Sequence, residues 1–297
     1  MEKIVVGVDG SEHSAVALRW AAREAELHGA ELVAVLVWDL FNQRHADGSR
    51  RFDPEYDATK ADAALLASLE AALGAEAAQK VTRRPVCDVP APGLLEAAQE
   101  ADLLVVGARG LGGFKGLLLG SVSQQCLHHA PGPIAIVRTT RDGEAPGRPD
   151  GRPERIVAGV DGSEPSRAAL RWALREGAKR DAVVQAVHVW EVPVIYGPVG
   201  IGFPYDTGPI EDASRKLLDD VVDKAVAETG ETGVTVERTL LSGGVATTVL
   251  EVADGADLLV VGRRGLGGFQ RLLLGSVSEH VARHAPCPVV VIPTEAA

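Results

Sequence analysis

Two glycine-punctuated stretches carry the residues whose types and spacing could do chemistry. The first reads Ala101-Asp102-Leu103-Leu104-Val105-Val106-Gly107, then Ala108-Arg109-Gly110-Leu111-Gly112-Gly113-Phe114, then Lys115-Gly116-Leu117-Leu118-Leu119-Gly120-Ser121-Val122-Ser123. The second, from Ala256 to Ser278, differs only at Arg263 for Ala108, Gln270 for Lys115 and Arg271 for Gly116. In each, an apolar run of strand length ends in glycine, Gly107 or Gly262. The spacing to Gly110 or Gly265 lets the backbone turn sharply, since positive φ is cheap only for glycine. Gly112, Gly113, Gly267 and Gly268 keep the loop free of Cβ atoms, so a ligand can approach the main chain. Gly120-Ser121-Val122-Ser123 and Gly275-Ser276-Val277-Ser278 then supply N–H groups and hydroxyls where a helix opens. Bare amides at a helix N-terminus bind anions, most often phosphate. The expected ligand is a nucleotide, one per half of the molecule.

Simpler roles stand beside this one. Ser121 with Gln124, and Ser276 with Glu279, also fit a capping-box spacing. A cap leaves the upstream glycines unexplained. Asp9 and Asp161 stand at the tip of a first strand, where a carboxylate accepts either from a ribose hydroxyl or from helix N–H groups. Ser11 and Ser163, two residues on, share both options. Arg109, Arg263 and Arg264 suit phosphates, although a loop arginine is more often simply solvated. His128, His129 and His284 lie near helix ends and read as dipole partners or surface residues. The loops are not a Walker A, for no Gly-Lys-[Ser/Thr] stands at the required place, nor a dinucleotide fingerprint, since they follow a fourth strand rather than a first. Ser242-Gly243-Gly244 lacks an acidic partner. No nucleophile–base pair stands out, so no catalytic residue is assigned.

The elements that must position these residues also come twice. Short β-branched runs at Ile4–Val8, Glu31–Val37, Arg83–Cys87, Leu103–Val106 and Pro133–Val137 alternate with helical patterns. The programme restarts at Arg155–Val160, where Asp161-Gly162-Ser163-Glu164 repeats Asp9-Gly10-Ser11-Glu12 and Leu170-Arg171-Trp172-Ala173 repeats Leu18-Arg19-Trp20-Ala21. Alternating β and α predicts parallel sheets with helices on both faces, and a ligand beyond the carboxyl ends of the strands. The pattern dissolves from Trp38 to Thr59 and from Glu191 to Pro209, loops long enough to be functional or disordered. The expected domains are residues 1–140 and 155–297, joined by a Pro- and Gly-rich linker over 141–154.

Both halves resemble universal stress protein domains, and the whole resembles a tandem member of that family. The family's nucleotide signature, Gly-x2-Gly-x9-Gly-[Ser/Thr], is met by Gly107, Gly110, Gly120 and Ser121, and again by Gly262, Gly265, Gly275 and Ser276. The resemblance implies two Rossmann-like domains, each a five-stranded parallel sheet in the order 3-2-1-4-5, with ATP in the cleft. Gly7, Val8, Asp9 and Val37 would then lie along adenosine, as would Gly159, Val160, Asp161 and Val189. The glycine loops with Ser121–Ser123 and Ser276–Ser278 would hold ribose and phosphates. It also implies pairing of the domains through strand five, an intramolecular pseudo-dimer, with a homodimer beyond it. Before the third main helix the second half has Gly243-Gly244 where the first has Asp88-Val89-Pro90, and before strand five the first half has Gly132 where the second has Cys287. Neither change touches the signature, so both sites are expected to bind ATP.

Composition sets the outer bounds. The 297 residues suit two domains, and 46 % apolar with 4 % aromatic residues suits a core of Val, Leu, Ala and Ile. A net charge of −11 argues against a nucleic-acid partner. No apolar run approaches a membrane span. Met1–Gly7 reads directly as a strand, so no signal peptide is expected. Cys87, Cys126 and Cys287 show neither a disulfide framework nor a metal pattern, and each is expected to be a small buried hydrophobe in a reducing cytoplasm. No metal site is assigned; any Mg²⁺ is expected to arrive with ATP. The function that follows is a cytoplasmic, nucleotide-dependent stress or regulatory protein, with a slow ATPase or other nucleotide-dependent enzyme as the alternative.

Overall fold

Runs such as Leu103-Leu104-Val105-Val106-Gly107 are apolar at every position, so a strand made of them must be covered on both faces. The computed structural model, which describes residues 1–111, 118–138, 153–191, 206–265 and 273–293, meets that demand with helices on each side of a sheet. The first half runs β1 (Lys3–Gly7), α1 (Glu12–His28), β2 (Glu31–Trp38), α2 (Ala58–Leu73), α3 (Ala75–Ala78), β3 (Thr82–Cys87), α4 (Pro90–Ala97), β4 (Leu103–Gly107), α5 (Ser121–His129) and β5 (Ile134–Val137). The second runs β6 (Arg155–Gly159), α6 (Glu164–Arg180), β7 (Val183–Trp190), α7 (Gly208–Thr229), β8 (Val236–Ser242), α8 (Val245–Val252), β9 (Leu258–Gly262), α9 (Ser276–His284) and β10 (Val289–Ile292).

The strands form one ten-stranded sheet in the order β3-β2-β1-β4-β5-β10-β9-β6-β7-β8. Each half is therefore parallel in the order 3-2-1-4-5, and the halves meet where β5 and β10 pair antiparallel, Ala135 opposite Val290. Both sheet faces carry a core that crosses this seam. Ile4, Val6 and Ile156 point to the face covered by α1, α2, α6 and α7, while Val5 and Val157 point to the face of α4, α5, α8 and α9. The aspartate that opens each long repeat has a fold role. Asp102 Oδ2 accepts from the Lys3 amide at 2.9 Å, and Asp257 Oδ2 from the Arg155 amide at 2.8 Å, tying the start of each first strand to its neighbour.

Two expectations change. The stretch after β2 is ordered in the first half. Asn42 Nδ2 donates to the Val37 carbonyl at 3.3 Å, the Gln43 side-chain amide donates to the Asp53 carbonyl and accepts from the Asp53 amide, and the Tyr56 ring packs edge-on to Trp38 and His45. Gln43, His45 and Tyr56 are buried, so a segment without periodicity folds through its own side chains. The matching loop of the second half, over 192–205, and the predicted linker except Pro153 and Glu154 lie outside the described residues. Of the cysteines, Cys126 and Cys287 are buried, and burial pushes both thiols up to about 12. Cys87 is exposed, because it ends the outermost strand, β3. The third main helix starts at Pro90, a first-turn position that needs no donor.

Candidate functional site

In each half the first strand ends between the second and the fourth, so the turn after it faces the loop after the fourth. The hydrogen bonds show how closely. Asp9 Oδ1 accepts from the Ser11 amide at 2.9 Å, and its Oδ2 accepts from the Leu111 amide at 3.0 Å, joining turn to loop. Asp161 Oδ1 accepts from the amide and the hydroxyl of Ser163, at 2.9 and 2.6 Å. The helix caps are Ser11 and Ser163, whose hydroxyls accept from the Ser14 and Ser166 amides. Asp9 and Asp161 thus brace the turn two residues before the cap, and the capping itself falls to the serines.

The signature glycines have separate reasons. A Cβ on Gly110 would lie 2.4 Å from Asp9 Oδ2, and one on Gly265 would lie 2.3 Å from Asp161 Oδ2. A Cβ on Gly107 would meet the His13 backbone at 2.8 Å, and one on Gly262 the Pro165 backbone at 2.6 Å, so these two let a helix start press on a strand end. A Cβ on Gly120 or Gly275 would sit 3.4 Å from Arg109 Cα or Arg264 Cα, ordinary contact with the loop backbone. Gly112, Gly113, Gly267 and Gly268 lie outside the described residues.

Each loop leaves and returns at one point, since Gly120 N donates to Ala108 O and Gly275 N to Arg263 O, both at 2.8 Å. The returning glycine is itself the N-cap and brings no side chain to cap the helix. The capping-box reading of Ser121 and Ser276 therefore fails; they are the first helical residues, exposed at the cleft mouth. Ser123 and Ser278 are buried, and their hydroxyls donate to the Gly107 and Gly262 carbonyls at 2.6 Å, fixing the helix start to the strand end. The first-turn amides stay available to a ligand.

In the second half these parts border a cleft of about 480 Å³. One wall is apolar: Val160, Val187, Val189, Val245, Val249 and Val261. The other is polar main chain and short side chains: Asp161, Arg264, Gly265, Gly275 and Ser276 to Ser278. Gly159 lies at its floor, and His188 steadies the strand tip, its Nδ1 within 2.7 Å of the Val160 carbonyl. An apolar slot that ends on a cradle of amides suits a flat ring carrying an anionic group.

The family comparison settles the kinship. The model of the universal stress protein family matches residues 1–138 and again 153–293. The chain belongs to the universal stress protein family. Universal stress protein Rv1996 of Mycobacterium tuberculosis is 33 % identical over 311 residues, covering 97 % of this chain and 94 % of that protein. A universal stress protein of Mycolicibacterium smegmatis is 32 % identical, covering 97 % of this chain and 96 % of its own length. The crystal structure of a universal stress protein from Archaeoglobus fulgidus shares the fold, with a TM-score of 0.67 at 23 % identity and 98 % of both chains covered. The two universal stress protein units of this chain correspond to the two halves of its sheet.

Two polar seams join these units, and the sequence signalled neither. On one face, α1 and α6 bring together Glu24, His28, Glu176 and Arg180. The Arg180 guanidinium bonds Glu24 and, at 3.1 Å, Glu176, while His28 Nε2 lies 3.1 Å from Glu176 Oε2. Glu24 matches Glu176 in the repeat and His28 matches Arg180, so each unit offers an acid and a base to the other. Burial holds the Glu24 carboxyl above its ordinary value against the pull of Arg180. Burial also pushes Glu176 up, but the His28 hydrogen bond and the Arg180 charge outweigh it and leave it low. The two carboxylates and the imidazole stand close enough to hold a metal ion, yet Arg180 already supplies the cation between them. On the other face, Arg138 Nη1 and Nη2 donate to the Leu118 and Ala282 carbonyls at 3.0 and 2.6 Å, and Arg263 Nη2 donates to Ala130 O at 2.6 Å. Burial brings the Arg138 guanidinium down to about 10. Arg263, expected near phosphate, is thus turned toward the other unit instead.

Proposed function

We propose that this protein binds ATP, with the base in the valine-lined slot and the phosphates on the glycine loop and the first turn of α9, and that the bound state governs how it acts on partners in the stress response. The observation that carries this reading is the second-half cleft itself. Six valines line one side, and Gly265, Gly275 and the uncapped start of α9 line the other. The first half repeats the parts with Gly7, Val8, Asp9, Val37, Arg109, Gly110, Gly120 and Ser121 to Ser123. Domains at 1–140 and 155–297 with a linker at 141–154 fit the two sites. Three unbridged cysteines agree with a cytoplasmic setting. Any homodimer would form away from strand five, since β5 and β10 already pair within the chain.

Binding rather than turnover is the reading the aspartates favour. Both Asp9 oxygens accept backbone amides, which makes that carboxylate a brace rather than a base or a Mg²⁺ ligand. Gly265→Ala tests the site, because its Cβ would displace Asp161. Calorimetric titration should show ATP affinity at the second-half site reduced by about tenfold or more, equivalent to roughly 1.4 kcal/mol. Unchanged affinity would remove the loop from the site. In the same samples, steady release of inorganic phosphate from ATP would favour the slow ATPase instead.

A further inference from the structure

The two units differ at the wall of the slot. Aligned on Asp102 and Asp257, Leu94 on α4 stands where Val249 stands on α8, and Gly93 where Thr248 stands. Leu94 is buried, and its Cδ2 lies 2.8 Å from the point a Cβ on Gly7 would occupy. Its methyls therefore fill the space above the end of β1. At the matching Gly159 the nearest described neighbour is Val261 Cγ1 at 3.4 Å, and Val249 stays back among the residues lining the open cleft. Gly93 adds to the contrast. A Cβ there would lie 3.0 Å from Val37 Cγ1 and 3.3 Å from Val86 Cγ1, so α4 packs close against the end of β2. Thr248 carries a side chain at that position of α8.

We infer that the two nucleotide sites are unequal, and that the residue at 94 or 249 sets the difference. This rests on the ATP-binding reading above. The second-half slot accepts the base as it stands. The first-half slot accepts it only once the Leu94 side chain has swung out of the space above Gly7. One methylene in an apolar pocket changes affinity about 10–200-fold, so a tenfold gap is the least expected. This makes the chain a two-stage responder: one site fills at low ATP and the other only at much higher concentration.

Calorimetric titration of the full chain with ATP tests it, with Leu94→Val and Val249→Leu alongside. Both substitutions exchange similar apolar side chains, and a thermal melt checks that each variant folds. The wild type should show one tight site and a second weaker by about tenfold or more. Leu94→Val should strengthen the weak site and leave the tight one, and Val249→Leu should weaken the tight site alone. Two indistinguishable sites in the wild type, or a weak site indifferent to Leu94→Val, would overturn the inference while leaving ATP binding intact. Absence of ATP binding in all three proteins would overturn the ATP reading and this inference with it.

Discussion

Replacing Arg180 by methionine should cost about 3–5 kcal/mol of stability, the penalty of leaving buried carboxylates without their cation. Glu24 and Glu176 are each 3 % exposed, and Arg180 is the guanidinium between them. Removing it leaves His28 to face Glu176 alone and Glu24 without its cross-unit cation. The loss should depend on pH in a definite direction. Without Arg180, burial holds the Glu24 carboxyl in the folded state above its unfolded value, while His28 still hydrogen-bonds Glu176. The folded variant then gains protons as pH falls, so its deficit is largest at neutral pH and shrinks on acidification. Urea unfolding at neutral and mildly acidic pH would read this. A variant that also carries Glu24→Leu and Glu176→Leu should recover most of the loss, since apolar groups of similar volume replace buried ion pairs at little cost. A deficit no larger than that of a surface substitution, or one independent of pH, would show that the seam is not held this way.

Gly262→Ala should be the most damaging single methyl group in the second half. Its Cβ would lie 2.6 Å from the Pro165 carbonyl carbon and 2.7 Å from its oxygen, both backbone atoms at the start of α6. No side-chain rotation relieves such a contact. Either β9 or the helix start must move, at a cost of about 1–3 kcal/mol for overpacking. Because Ser278 bonds the Gly262 carbonyl and Ser163 caps α6, the shift passes straight into both walls of the cleft. ATP affinity at that site should therefore fall together with stability. Gly233→Ala is the control: nothing lies within 4 Å of its Cβ, and its effect should stay within about 0.5 kcal/mol. Equal behaviour of the two variants in thermal melts would contradict the packing argument.

How much of this was legible beforehand depended on whether a feature is local in the chain. Strand runs, the duplicated programme and the 3-2-1-4-5 order follow from periodicity, the repeat and the family signature, and the structure has all of them. The signature glycines were readable as a set, but their separate reasons were not. Gly110 and Gly265 are required by an aspartate about 100 residues earlier, and Gly107 and Gly262 by a helix start. Ser121 had capping-box spacing, yet the chain caps with Gly120, because the loop closes on Ala108 one residue sooner. The Glu24–His28–Glu176–Arg180 seam was invisible for a different reason. Charged residues at helical spacing read as a solvated face until a second helix covers them. The ordered segment from Asp39 to Asp57 was hidden because it folds on Gln43, His45 and Tyr56 rather than on any period.

Where ATP sits is the claim on which the rest depends, and photoaffinity labelling of the full chain with an azido-adenine analogue of ATP locates it most directly. The label should fall on peptides from β7 and α8, carrying Val187, Val189, Val245 and Val249, and excess ATP should suppress it. Labelling confined to other peptides, or labelling that ATP does not suppress, would contradict the account.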